Sequence, residues 1–255
     1  MSTLDDADVD VMKTTKTCVA AQHFQYDYLN DDITNDGKID YNLSNKVPVG
    51  LRKAIAEGKK ILVLINPPYA EVASGTGGGK KIGVATTKAA LMAKQNYGEA
   101  SNELFMQFVA RIAQEIPLAT LAMFSTLKYV NSQTLAEFRA NWNAKYLGGF
   151  VVHCKAFDGL SDNFPIGFLV WVTNQNAKNS TTTTKISTEA LDKNAKAIGE
   201  KIFFNIPNEK LLTNWVARPK TNKIEVIPLK NAVTTATSTK DLRGTTWSEG
   251  AVAYL

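Results

Sequence analysis

The sequence predicts an α/β fold built on a mostly parallel sheet with an antiparallel hairpin at one end, and three observations carry that reading. "ILVLIN", Ile61 to Asn66, is an apolar run without polar alternation, the pattern of a central parallel strand covered on both faces. Segments of helical period alternate with segments of strand length along the first two thirds of the chain. Two late strands, "GGFVVHCKAF" and "FPIGFLVWVTN", are separated only by the turn-forming "DGLSDN".

In chain order, Thr17 to Leu29 ("TCVAAQHFQYDYL") mixes apolar and aromatic residues over strand length, and the polar "NDDITNDGKIDYN" ends it, which puts the strand's carboxyl end near Asp27. "VPVGLRKAIAEGKK" predicts a short helix opened by Pro48 and stopped at Gly58, with Leu51 and Ile55 on one stripe. After "ILVLIN" a glycine-rich, lysine-bearing stretch runs to about Lys94 and reads as a long loop. Ser101 to Ile116 predicts a helix whose apolar residues 104, 105, 108, 109 and 112 share a stripe, with Ser101 and Glu103 marking its start. Leu118 to Ser125 predicts a strand, and "SQTLAEFRANWNAKYL" a helix in which Phe138, Trp142 and Tyr146 are core residues. From Gln175 the composition turns polar: "NQNAKNSTTTTKIST" reads as a linker or hairpin tip, and "KIFFNIP", "LLTNW" and "KIEVIPL" as short strand or turn elements. The expected division is 1–174, a core domain, and 175–255, a β-rich appendage or the start of a further region.

A chain of 255 residues, 44% hydrophobic, supports one substantial core. No apolar stretch approaches the roughly 20 residues of a membrane span, and the acidic "MSTLDDADVDVMK" is unlike a signal peptide, so a soluble, cytoplasmic protein with no membrane partner is expected. Cys18 and Cys154 have no Cys or His at ligand spacing, and His23 and His153 lie far apart, so the expected metal is none. The net charge of +5 is uneven: residues 1–50 hold nine acids against four bases, leaving fifteen acids against twenty-five bases for the rest. A basic body suits a polyanion.

The chemistry is concentrated where the apolar run stops, at Asn66-Pro67-Pro68-Tyr69. Ligands of open parallel sheets sit beyond the carboxyl ends of the strands, and in this reading both Asp27 and Asn66 lie at such ends, facing one cleft. The two prolines fix the backbone, which directs the Asn66 amide and the Pro67 carbonyl outward and holds the Tyr69 ring close by. Two acceptors and an aromatic face make a pocket for a planar amine.

These residues resemble motif IV of S-adenosylmethionine-dependent amino-methyltransferases, and most closely adenine-N6 DNA methyltransferases of restriction-modification systems. The resemblance runs from about Phe24 to Thr173. It implies a Rossmann-like methyltransferase sheet, S-adenosyl-L-methionine as cofactor and double-stranded DNA as partner. It gives Asn66, Pro67, Pro68 and Tyr69 the catalytic roles: acceptors for the target amino group, the rigid turn, and a stacking ring for a base flipped out of the duplex. "FQYDYLND" resembles motif III, which implies that Asp27 binds the adenine amino group of the cofactor. "NELFMQF" is similar to the motif V helix, which implies that Leu104 and Phe105 contact the cofactor.

The departure from the family is at the front, where no glycine-rich turn of the form F-x-G-x-G precedes Asp27. The sheet is therefore expected to be incomplete at the N-terminus, with a further polypeptide or further regions of the same enzyme as partner; Asp5 is a candidate for the ribose contact. The same motif also serves glutamine and RNA-guanine amino-methylation, and a non-catalytic DNA-binding or assembly module is the reading from another class. Two other patterns fall short. "DITNDGKIDYNL" has EF-hand offsets but carries Leu43 in place of the bidentate Glu, and "GTGGGKK" is one residue short of a phosphate loop and lacks its Ser or Thr.

Overall fold

The computed structural model describes residues 1–68, 84–157, 164–173 and 185–204, all within one unit, Met1–Pro207. The fold is mixed α/β. Among the described residues, a six-stranded mixed sheet is formed by β3 (Leu62–Ile65), β4 (Thr120–Thr126), β5 (Ala144–His153), β6 (Pro165–Thr173), β7 (Lys185–Leu191) and β8 (Ala197–Phe204), in the order β3-β4-β6-β5-β7-β8. β3 and β4 are parallel, β6 is antiparallel to both its neighbours, and β7 returns parallel to β5. The strands β3, β4, β5 and β7 thus end at the same edge, which carries Asn66. No described helix is long and apolar enough to cross a membrane.

Register divides the sheet into two unlike faces. Leu121 and Met123 of β4 lie opposite Trp171 and Leu169 of β6, and none of the four is more than 3% exposed. They are covered by α3 (Lys88–Tyr97), α4 (Leu104–Glu115) and the short helix Ala136–Asn141, whose residues Tyr97, Phe105, Val109 and Phe138 join the same core. Trp171 keeps its indole N–H satisfied there by donating to the Tyr129 hydroxyl at 2.9 Å. The alternate positions form the other face. On β3 these are Leu62 and Leu64, exposed by 67% and 68%, and beyond them Phe124, Phe168 and Val170 are half-buried.

Several expectations hold. The helix α2 (Val49–Ala56) has Pro48 at its N-cap, and Gly58 closes it at φ +63°, a conformation that favours glycine. α4 falls within its expected span, and β4 forms as expected but runs one residue past Ser125, to Thr126. Others are corrected. The segment from Thr17 is not a strand: Lys16 and Cys18 take positive φ in a run of turns, and only β2 (Phe24–Gln25) is extended. It pairs in parallel with β1 (Ser2–Thr3), apart from the main sheet. Between them lies the unexpected helix α1 (Asp6–Thr14), where Asp5 acts as N-cap, accepting from the Ala7 amide at 2.9 Å. The "ILVLIN" strand forms as expected over Leu62–Ile65, but among the described residues it stands at an edge of the sheet and not in the centre. The helix around Phe138 is only six residues long because the chain is already extended from Ala144. A Cβ at Gly149 would lie 2.1 Å from the Phe168 carbonyl oxygen, so the Gly148-Gly149 pair belongs inside β5, beside an irregularity in register. Lys185 to Thr188, expected as linker, begins β7, with Ile186 and Thr188 buried and Ser187 and Glu189 exposed.

Candidate functional site

Asn66 follows directly on the last paired residue of β3, Ile65, which sits opposite Met123 of β4. Asn66 and Pro68 are exposed while Pro67 between them is buried. The rigid dipeptide therefore has one ring packed and one exposed. Tyr69, and the "GTGGGKK" stretch after it, lie outside the described residues.

Gln107 of α4 fixes the backbone at Val84. Its amide nitrogen donates to the carbonyls of Val84 and Ser101, each at 2.7 Å, and its oxygen accepts from the Thr87 hydroxyl at 2.7 Å. Thr87 in turn caps α3 by accepting from the Ala90 amide. A wholly buried glutamine with its oxygen and both amide hydrogens engaged anchors the start of α3 firmly.

Asp27 lies in a turn docked on these helices. One carboxylate oxygen accepts from the Leu29 amide at 2.9 Å and the other from the Asn30 side chain at 2.8 Å. Asn30 accepts from the Lys88 amide at 3.1 Å, and the Leu29 carbonyl from the Ala89 amide at 2.9 Å. The expected placement of Asp27 at the carboxyl end of a strand in the sheet that bears Asn66 is thus corrected. Asp27 is held by its own turn, which Leu29 and Asn30 tie to the start of α3, and β2 stops two residues before it and belongs to the other sheet.

The firmest part of the region was missed from sequence. Arg111 of α4 is wholly buried. It donates from Nε to Glu115 at 2.9 Å, from Nη1 to the Tyr28 carbonyl at 2.5 Å and from Nη2 to the Tyr26 hydroxyl at 2.6 Å. The Tyr28 ring lies 4.2 Å from the guanidinium. Tyr28 and Tyr41 both donate to Glu115, at 2.9 and 2.6 Å, while Tyr26 donates to Asp32, which also accepts twice from Ser44. Burial pushes the Tyr26, Tyr28 and Tyr41 phenols well above their usual range, and Glu115 adds to the effect. Asp32, the first residue of the EF-hand-like pattern, is turned inward by these bonds. The network grips the residues on either side of Asp27. Its sequence signal was Arg111 and Glu115 at i, i+4, the two charged residues of a mainly apolar helix.

Leu104 is half-buried, whereas Phe105 is 1% exposed and meets Tyr129 edge-on at 6.3 Å, so Phe105 supports the site from within the core. Glu103, the N-cap of α4, pairs with Lys128 at 3.2 Å, just beyond the end of β4. Burial pushes the Glu103 carboxyl up to about 6. The ion pair pulls the other way, but Lys128 is 41% exposed and Glu103 only 14%, so desolvation of the carboxylate is the larger effect.

No family model matches the sequence, and no curated protein matches it. Among solved structures, the chain is similar to the "ATP-dependent Type ISP restriction-modification enzyme LlaBIII bound to DNA", with a TM-score of 0.40 and 10% identity over 67% of this chain. It is also similar to a DrdV–DNA complex, at TM-score 0.36 and 14% identity over 56% of the chain. A third is a nuclease-deletion mutant of the Type ISP enzyme LlaGI with a DNA substrate mimic, at TM-score 0.34 and 10% identity over 54% of the chain. The chain spans only 12%, 16% and 12% of those three proteins. Similarity of this size assigns no activity.

Proposed function

We propose that the chain is part of an S-adenosylmethionine-dependent DNA methyltransferase of a restriction-modification system, acting on the N6 amino group of an adenine flipped out of the duplex. The observation that carries the reading is the placement of Asn66-Pro67-Pro68 at the carboxyl end of β3, in a sheet where β4 is parallel to β3 and β6 runs antiparallel beside it. Ligand sites of such sheets lie at that end.

S-adenosylmethionine, when bound, supplies an electrophilic methyl group on a sulfonium. Asp27 fits part of the task of holding it: two of the roughly four lone-pair positions of its carboxylate are engaged in its own turn, which leaves capacity to accept from an amino group. Asn66 and Pro67 act on the target. An aromatic amine shares its lone pair with the ring, and acceptors for both of its hydrogens favour a pyramidal nitrogen with the pair localised, most strongly as positive charge develops. No strong general base is needed, and positioning is the main contribution. Tyr69 stacks on the base, and the basic residues of the chain meet the DNA backbone.

The test is methyl transfer from labelled cofactor to duplex DNA by the purified assembly that contains this chain, with digestion of the product to detect N6-methyladenine. Asn66→Ala is expected to lower the rate by on the order of 3 kcal/mol, more than a hundredfold, while DNA binding is largely spared. Near-normal turnover of that variant, or label in RNA or protein and none in DNA, would contradict the reading.

A further inference from the structure

We propose that Arg111 is the positioning residue of the candidate cofactor site: it holds Asp27 at a fixed place relative to α4, and through Asp27 it sets the discrimination between an adenine with its amino group and a purine without one. That role rests on the reading of Asp27 given above, and Arg111 acts through Asp27 and not on the cofactor itself.

The hydrogen bonds inside the Asp27 turn fix its shape and not its place. The Asp27 amide donates to the Asp31 carboxylate at 2.9 Å, and the Asp27 carbonyl accepts from the Asn30 and Asp31 amides at 3.1 and 2.8 Å. Its carboxylate accepts from Leu29 and Asn30. These partners all lie within residues 27–31, so they would move together with the turn. Its place is set from outside. Arg111 takes the residue on each side of Asp27, the Tyr26 hydroxyl with Nη2 and the Tyr28 carbonyl with Nη1, and the start of α3 takes the Leu29 carbonyl and the Asn30 side chain.

Both anchors lead back to one helix. Gln107, Arg111 and Glu115 stand four residues apart along one face of α4, with exposures of 0%, 0% and 8%. Gln107 fixes the start of α3 through Val84 and Thr87, Arg111 fixes the turn directly, and Glu115 orients the guanidinium through Nε. The helix itself packs on the sheet through Phe105 and Val109, and that sheet carries Asn66 at the end of β3. Asp27 and Asn66 are thereby referred to one frame.

A buried ion pair is a weak source of stability, because taking both charges out of water offsets their attraction, and an apolar pair of similar volume serves a core as well. What an apolar pair lacks is direction. The guanidinium is planar with its donors at fixed angles, and here Nε, Nη1 and Nη2 are all engaged while the Tyr28 ring lies 4.2 Å away. Lysine would supply the charge without the fork. A shift of Asp27 by about 1 Å is enough to spoil its contact with an amino group.

The test reads affinity and not turnover. The purified enzyme that contains this chain is titrated calorimetrically with S-adenosylhomocysteine and with the analogue whose purine lacks the 6-amino group. The native protein is expected to prefer the first by roughly tenfold or more, the worth of one hydrogen bond to a charged acceptor. The double variant Arg111→Met, Glu115→Gln removes the ion pair as a unit and leaves an acceptor for the tyrosines. It should bring the two affinities within about twofold by weakening the first alone. In the full chain, exchange of the Leu29 amide, which Asp27 accepts, should quicken in the same variant by about tenfold or more. Tyr26→Phe, a smaller change that releases one guanidinium donor, should lose part of the preference and serves if the double variant does not fold. Tyr41→Phe removes a bond to the same Glu115 without touching the turn, and should keep the preference. An unchanged preference in the Arg111 and Tyr26 variants, or an equal loss of affinity for both ligands, would overturn the proposal, the second being the mark of a purely structural role. A native protein that binds both ligands equally, or neither, would instead contradict the reading of Asp27 and the proposal with it.

Discussion

The two faces of one sheet are built to different standards. On the helix side, Leu121, Met123, Leu169 and Trp171 are at most 3% exposed, and even the charged Arg111 nearby has its donors on the Tyr28 carbonyl, the Tyr26 hydroxyl and Glu115. On the other side Leu62 and Leu64 lie open. Both faces are apolar where they cross β3 and β4, so composition does not distinguish them; among the described residues, the presence of a covering helix layer does. A residue pattern therefore records the surroundings in which a strand is meant to sit.

The difference is measurable. Leu169→Ala, on the covered face, is expected to cost roughly 2–5 kcal/mol of stability, read by denaturant unfolding, because it removes a fully buried side chain and leaves a cavity. A cost under about 1 kcal/mol would mean that the helix layer packs loosely. The next effect is at the rim of that layer. Glu103 has its folded value raised to about 6 from 4.5, so it favours folding while protonated. That contribution is complete below about 4.5 and is lost as pH rises through about 6. Stability is expected to fall by about 2 kcal/mol across that window in the native chain, and Glu103→Gln should remove the fall. Identical pH profiles for the two would show that Lys128 offsets the burial. The smallest effect belongs to the open face: Leu64→Ala in the isolated chain should change stability by no more than about 0.5 kcal/mol. A loss comparable to that of Leu169→Ala would show that the face is covered in solution.

What the sequence revealed follows the same division. α2, α4 and β4 were legible because local signals and tertiary surroundings agree: Pro48 before and Gly58 after one helix, an apolar stripe along the next, a short apolar run for the strand. The region before residue 30 was not legible. Its aromatic residues Tyr26 and Tyr28 resemble a strand face, but they are there to bind Arg111 and Glu115, some 85 residues away, and no local pattern records such a partner. β7 was hidden for the opposite reason, since its alternation of Ile186, Thr188 and Ala190 is short and adjoins a run of threonines. At the candidate site, the end of an apolar strand at Asn66 was readable, whereas the placement of Asp27 depended on a strand that does not form.

We propose that Asp27, engaged in its own turn, gives S-adenosylmethionine too little hold in the isolated chain. Calorimetric titration of the isolated chain with S-adenosylmethionine tests it most directly. One charge-assisted hydrogen bond at Asp27 is worth about 1.5–3 kcal/mol, too little to outweigh the freedom lost by a flexible cofactor. The expected result is no measurable heat of binding at micromolar concentrations; saturable binding in that range, without any added polypeptide, would contradict the account.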